Sequence, residues 1–322
     1  MSEDVFTREH FHRFLRKRWK ENGISLAKGK RVGISIDELV KHSANRNAKL
    51  KLPFVDLWVA VLDECISWTI SLATVVYGDR AADKGLSDFE KALTLIIAKV
   101  IADSTSIRHL ILLGFDTSAR AVLRSVSEYM EVLVAIIHKP EFSTDFLASD
   151  TPDAAQRFWE QHLRGGKIRR KVEAAWADFF KEEGDEAAKW FANWGRGSHP
   201  VLSGTAHPSY AGGLFAAIPL NGKYEDENWL GFWGSKADTS VETVFIYVQF
   251  MFPILLLSRG FPFEGSEPYI HRPYDEKNEL HRHVKVGGDI LASVILSLGS
   301  QENTQYLFPD LDVSIYGGDR DS

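Results

Sequence analysis

Cysteine is nearly absent: Cys65 is the one thiol in 322 residues, so no intrachain disulfide forms and the fold must be held by packing. Neither sign of charge prevails. The 38 basic and 44 acidic residues leave a net charge of -6, so the global field recruits neither nucleic acid nor an anionic membrane, and any such contact must be local. Long hydrophobic runs are also missing. The stretch 59–76 is interrupted by Asp63 and Glu64, and 244–257 contains Gln249 and falls short of the roughly 20 apolar residues that cross a bilayer. No Gly-x-x-x-x-Gly-Lys-Ser/Thr, no Gly-x-Gly-x-x-Gly after a strand and no Gly-x-Ser-x-Gly occurs, which removes sequence support for phosphate-cradling loops and for an exposed serine nucleophile. With no charged-apolar-small segment before Val5, the chain is expected in a reducing cytoplasm.

What is present is a folded-protein composition: 44% hydrophobic, 12% aromatic and 25% charged, with nine tryptophans and twenty phenylalanines for a bulky core. Helical period dominates. Phe6, Phe11, Phe14, Leu15 and Trp19 form one apolar stripe over 4–21, flanked by strongly basic faces. Residues 22–51 read as a linker with one short strand or helix. Pro53 suits the first turn of a helix to about Tyr77. Ser87 to Glu90 has capping-box spacing and opens a helix that Gly114 ends. Asp116 or Thr117 can cap the next helix at once, which forces an antiparallel hairpin with a partner running to about His138. Further helices are expected from Thr151-Pro152 to Gly165-Gly166, over 167–183 and over 185–194. Thr239 to Glu242 reads as a second capping box before an apolar core helix at 244–257, and a last helix covers 275–298.

Metal and thiol chemistry find little support. Cys65 lies in an apolar helix with no basic neighbour in sequence to activate it. His10 and His12, like His281 and His283, are two apart, which on a helix aims the rings about 200° apart. They read as solvated helix faces, and no metal or cofactor is expected. Two basic runs could hold phosphates: Arg8 to Arg31 with interleaved aromatics, and Arg164, Lys167, Arg169, Arg170 and Lys171 around a Gly-Gly turn. Acidic residues follow the second directly, so a solvated face is the plainer account.

Two segments carry more. On a helix at about 100° per residue, Arg120, Arg124, Ser127, Glu131 and His138 fall within about 60°, with Glu128 about 40° outside, and nearly every other face is apolar. A helix so enclosed must pair its charges, because an unpaired buried charge costs several kcal/mol, of order 3–5. The stripe is either a register-setting row of salt bridges or one wall of a cleft. Residues 193–209 then place Arg196, Ser198, His199, Ser203, His207 and Ser209 among glycines and prolines, where an irregular segment could gather acid–base groups or simply satisfy backbone.

At these segments the sequence resembles a widespread family of uncharacterised bacterial all-helical proteins. Its signature is Gly-x-Asp/Asn-x-x-Ala-Arg-x-x-x-Arg-x-x-x-Glu, followed by Leu-Ser-x-x-x-His-Pro. The matching residues are Gly114, Asp116, Ala119, Arg120, Arg124 and Glu128, then Leu202, Ser203, His207 and Pro208. A looser resemblance is to the HEPN superfamily of helical toxin and antiviral ribonucleases, through Arg157-Phe-Trp-Glu-Gln-His162, although His207 has no arginine at the matching offset.

The sequence thus predicts an all-α bundle: an N-terminal basic helical extension and linker at 1–51, a bundle domain at 52–299 with an irregular Gly/Pro/Trp-rich insertion near 195–236, and a poorly ordered tail at 300–322. Two functions stand beside each other. One is a partner-binding or self-associating module in bacterial stress or defence, with no membrane contact. The other is a metal-independent HEPN-like ribonuclease or related hydrolase, with Arg124, Glu128, Arg196 and His207 catalytic and RNA held by Arg164, Lys167, Arg169 and Arg170.

Overall fold

The computed structural model describes residues 8–24, 36–49, 52–81, 85–179, 181, 185–206, 239–258 and 277–298, and among them every regular element is helical. The chain forms α1 (Arg8–Glu21), α2 (Ile36–Lys49), α3 (Pro53–Ala81), α4 (Asp88–Leu113), α5 (Asp116–His138), α6 (Phe142–Leu147) and α7 (Pro152–Phe158). A π turn (Trp159–Leu163) and a 3-10 turn (Arg164–Gly166) lead to α8 (Lys167–Phe179) and α9 (Asp185–Ala206). Then come α10 (Thr239–Ser258), α11 (Glu279–Arg282), a second π turn (His283–Gly287) and α12 (Gly288–Leu298). The all-α class expected from periodicity is the class observed. The expected tail at 300–322 lies outside the described residues.

Local chemistry explains several boundaries. Ser87 and Glu90 close a reciprocal capping box at the start of α4. Gly114 ends α4 in the left-handed region at φ 79°, a conformation that penalises any Cβ. The chain turns within two residues into α5, and α4 and α5 pack along each other. Thr151 caps α7 with Pro152 at its first position.

The one short element expected within 22–51 is a helix, α2 at Ile36–Lys49. Three expectations need correction. Neither Asp116 nor Thr117 caps α5; Phe115 stands at the cap without a side-chain bond, and Asp116 turns instead to a neighbouring helix. The last helical segment begins at Glu279 within the described residues and is broken by the π turn at His283–Gly287. The largest difference is at 195–206: α9 runs through Gly195, Gly197, Pro200 and Gly204 without interruption. Low helix propensity there is outweighed by burial of one face, on which Ser198, His199 and Leu202 are enclosed while Pro200 stays exposed. The remainder of the expected insertion, 207–236, lies outside the described residues.

The centre of the bundle is α5, which packs against α4, α8, α9 and α10; Leu123, Val126, Met130, Leu133 and Ile136 are essentially inaccessible. On the other side of α4, α3 joins α10 and the C-terminal helices. It is the one described helix long and apolar enough to cross a membrane, over Val55–Val75, yet most of that window is buried and its Asp63 pairs bidentately with Arg108 of α4, one contact being 3.0 Å. It is a core helix here. α10 is likewise a core element, with Val244, Tyr247, Val248, Met251 and Leu255 buried.

The C-terminal π turn is fastened to α3. Trp68 Nε1 donates to the Val284 carbonyl at 3.0 Å, and Ser71 Oγ lies 2.9 Å from His283 Nδ1. His281 is buried and His283 half-buried, so these histidines are parts of the bundle rather than a solvated face. Gly287 makes room for them, because a Cβ there would meet His283 Cδ2 at 2.9 Å and Trp68 Cδ1 at 3.5 Å. Gly287→Ala is therefore expected to displace the imidazole from Ser71 and cost about 1–3 kcal/mol of overpacking. A urea titration showing no loss would sink that reading.

Candidate functional site

The polar stripe of α5 exists and its groups are paired across helices. Arg120 is buried. Its Nε donates to Asp116 Oδ2 and to Thr243 Oγ1, each at 3.1 Å, and its Nη2 donates to Glu242 Oε2 at 2.9 Å. The Thr243 hydroxyl in turn donates to Asp116 Oδ1 at 2.7 Å. Glu242, expected as the far end of a second capping box, is thus drawn to the buried guanidinium.

One turn on, Arg124 Nε donates to Glu128 Oε1 at 3.2 Å, the intrahelical pair the spacing predicts, and Arg124 Nη1 donates to the Ser203 hydroxyl of α9. Ser127 turns its hydroxyl back to the Arg124 carbonyl at 2.7 Å. Deeper along the same face, His199 Nε2 of α9 lies 2.7 Å from Glu131 Oε1, with both side chains at least nine-tenths buried. The imidazole edge rests on Phe250 of α10, and Ser198 donates to Gln249 at 3.2 Å. At the C-terminal end His138 Nε2 lies 2.6 Å from Asp178 Oδ2 of α8. The α5 stripe is therefore a seam along which α10, α9 and α8 are each fastened in turn. On α5 the order is Arg124 then Glu131, on α9 it is Ser203 then His199 counted backwards, so these two helices run antiparallel.

Of the four residues put forward for catalysis, the structure joins Arg124 and Glu128 and leaves Arg196 elsewhere. Arg196 sits on the exposed side of α9 and grips Glu173 Oε1 of α8 through Nε at 3.0 Å and Nη2 at 2.6 Å. Its guanidinium is committed to the α8–α9 joint. His207 lies outside the described residues, as does Pro208. The Arg124 and Glu128 side chains keep 25% and 33% of their exposure, whereas Arg120 and Glu131 keep 9% each. The larger cost of stranding a charge accordingly falls on Arg120 and Glu131 rather than on Arg124.

The contributors that sequence reasoning passed over are Asp116 as an ion-pair partner, Thr243, Glu242 and Asp178. A signal existed for one of them: a buried arginine with one carboxylate a turn away demands acceptors from a second helix, and Thr243 opens the apolar run of α10.

The four residues put forward for RNA lie at the start of α8, around a turn in which Gly165 and Gly166 have φ of 68° and 74°. Arg164 and Arg170 are exposed. Lys167 donates to the Glu160 carbonyl at 2.6 Å, Arg164 lies 6.0 Å from the Trp159 ring centroid, and Arg169 folds over Gly166, its Nε enclosed without a hydrogen-bond partner. Lys171 caps the Phe142 ring at 4.1 Å. The adjoining Glu173 and Asp178, which could have neutralised this run, are spent on Arg196 and His138.

His162, from the HEPN-like spacing, is built into an aromatic wall, with Phe142 and Phe158 centroids each 5.0 Å from its own. Burial first, then the nearby Lys171 and Lys167, hold its pKa below the usual 6.5, against an opposing pull from Asp145. A base whose folded-state pKa is depressed binds its proton more readily when unfolded, so its contribution to stability is full above about 6.5 and is lost as pH falls through and below that value. The melting temperature is expected to fall on acidification through this window, with a shallower fall in His162→Gln. Superimposable pH profiles would defeat the assignment. Cys65, by contrast, is inert: burial pushes its thiol up to about 12, with Glu64 adding to the effect. Among the described residues no group of three His, Cys, Asp or Glu side chains is placed to hold a metal ion.

Fold and seam together define an all-helical bundle with a central helix pinned by paired charges. No family model, no curated protein and no solved structure matches the chain.

Proposed function

We propose that the protein is a non-catalytic helical binding module, and that the α5 seam holds the bundle in register for that task. One observation carries this reading: the stripe's acids and bases are engaged with one another, within α5 as Arg120 with Asp116 and Arg124 with Glu128, and across helices as Arg120 with Glu242 and Glu131 with His199. Binding surface is provided elsewhere, for Phe11, Phe14 and Trp19 of α1 are exposed. A setting in bacterial stress or defence belongs to the same proposal and is supported by the sequence resemblance alone, and a reducing cytoplasm is supported by the single cysteine.

The second reading, a metal-independent ribonuclease, draws on the partial exposure of Arg124 and Glu128 beside Ser203 and on the exposed cations Arg164 and Arg170. It loses support from Arg196, which Glu173 occupies. Incubating the purified protein with end-labelled RNA in EDTA separates the two. The expected result is intact RNA; cleavage that disappears in Arg124→Ala would overturn the module reading, because a group acting in the transition state typically supplies about 10²–10⁴-fold in rate.

A further inference from the structure

We infer that α1 is an interfacial helix that lies on an anionic lipid surface. The inference rests on the reading of the protein as a binding module and names one partner for it. α1 holds six basic residues against two acidic ones, in a chain whose net charge is -6. Its aromatic side is open: Phe11 and Phe14 keep 47% and 50% of their exposure and Trp19 37%. At about 100° per residue, Phe14, Phe11, Leu15 and Trp19 span about 140°. Arg16 and Lys17 stand about 60° beyond its two edges, with Arg13 and Lys20 opposite. Arg18, inside the stripe, holds its guanidinium carbon 5.5 Å from the Phe14 ring centroid and pairs with Glu21 at 3.1 Å, so a charged head stands directly beside the aromatic surface.

This is the arrangement an interface between hydrocarbon and anionic headgroups demands. The rings enter the acyl boundary, and the flanking arginine and lysine stems are long enough to raise their charges to the phosphates. At 14 residues the helix is too short, and too charged, to span. Charge selects the occupant. A second copy of α1 laid on the aromatic stripe would bring two strongly basic helices together, whereas an anionic surface neutralises them. An RNA strand stacked on the rings would find Arg13 and Lys20 on the far side of the helix. Net charge and the broken apolar runs predict no membrane contact, and α1 is a local exception to that expectation.

The test is co-sedimentation of the full-length protein with vesicles of phosphatidylcholine alone or mixed with phosphatidylglycerol. Binding is expected to the mixed vesicles only, and to weaken as ionic strength rises from about 0.05 to 0.5 M. Phe14→Ser with Trp19→Ser, and separately Arg16→Glu with Lys17→Glu, should each lower the bound fraction at least tenfold in partition constant, of the order expected for lost apolar area or basic charges. Unchanged circular dichroism melts verify that the bundle persists, as the mutated side chains are exposed. No sedimentation, equal binding to neutral vesicles, or unaltered binding by either double variant overturns the inference. So does an aromatic-dependent dimer, or aromatic-dependent poly(U) binding, without vesicle binding. RNA cleavage in EDTA would overturn the module reading while leaving the vesicle result to stand or fall by itself.

Discussion

Arg120→Ala is expected to lower the unfolding free energy by about 3–5 kcal/mol, among the largest losses from any single seam residue. The guanidinium is one of the buried groups of α5 and answers Asp116, Glu242 and Thr243 together. Without it the Asp116 carboxylate, itself largely enclosed at 14% exposure, keeps the Thr243 hydroxyl and loses its counter-charge. Glu128→Ala removes a carboxylate from a pair that retains a quarter to a third of its exposure, and Ser203 still accepts from Arg124. Its cost should be about 1 kcal/mol or less, as for other solvent-screened pairs. Urea unfolding of the two variants measures the contrast directly. A double variant, Arg120→Met with Asp116→Leu, should recover much of the loss, because replacing both charges with apolar volume leaves none stranded. If Arg120→Ala loses no more than Glu128→Ala, the seam is hydrated and does not fix the packing of α5 on α10.

The hairpin of α4 and α5 was legible in the sequence because period and punctuation agree there: Ser87 and Glu90 start it, Gly114 turns it, and isoleucine and valine recur every three or four residues between. The charged stripe was legible for the same reason, since a single helix fixes its own angular positions. What one helix cannot disclose is which neighbour answers each charge, and the capping-box spacing that places Glu242 at the start of α10 gives no sign that it also answers Arg120. Ser203 and His199, which answer Arg124 and Glu131, stand out in the sequence, whereas the helical conformation of their segment does not. Gly195, Gly197, Pro200 and Gly204 each lower helix propensity locally, and the compensation comes from burying His199 and Leu202 against the bundle, which only the assembled fold supplies. α1 shows the opposite case: its amphipathic period is plain in the sequence, and the exposure of its aromatic side in the fold turns that period into a surface.

His199→Ala should be the other severe loss, again about 3–5 kcal/mol, because Glu131 would remain inside the bundle without the imidazole that meets it at 2.7 Å. The enclosed carboxylate would lose both its hydrogen bond and its cross-helix partner, which costs free energy relative to the paired state. Loss of the ring also removes its edge contact with Phe250, so the packing of α9 between α5 and α10 should loosen as well. The two contributions separate by design. Glu131→Gln keeps a hydrogen-bonding group of nearly the same volume opposite the ring and preserves the Phe250 contact, so it should cost about 0.5–1.5 kcal/mol, the ordinary net worth of a hydrogen bond. Combining His199→Ala with Glu131→Ala strands nothing, and the double variant should be less destabilised than the sum of the single ones by at least about 1 kcal/mol of coupling. Hydrogen exchange of the α9 amides offers a second view: protection should fall across 198–203 in His199→Ala and stay near the parent's in Glu131→Gln. Strictly additive losses would mean that the pair is not an energetic unit, and α9 would then be fastened to the seam through Arg124 and Ser203 instead.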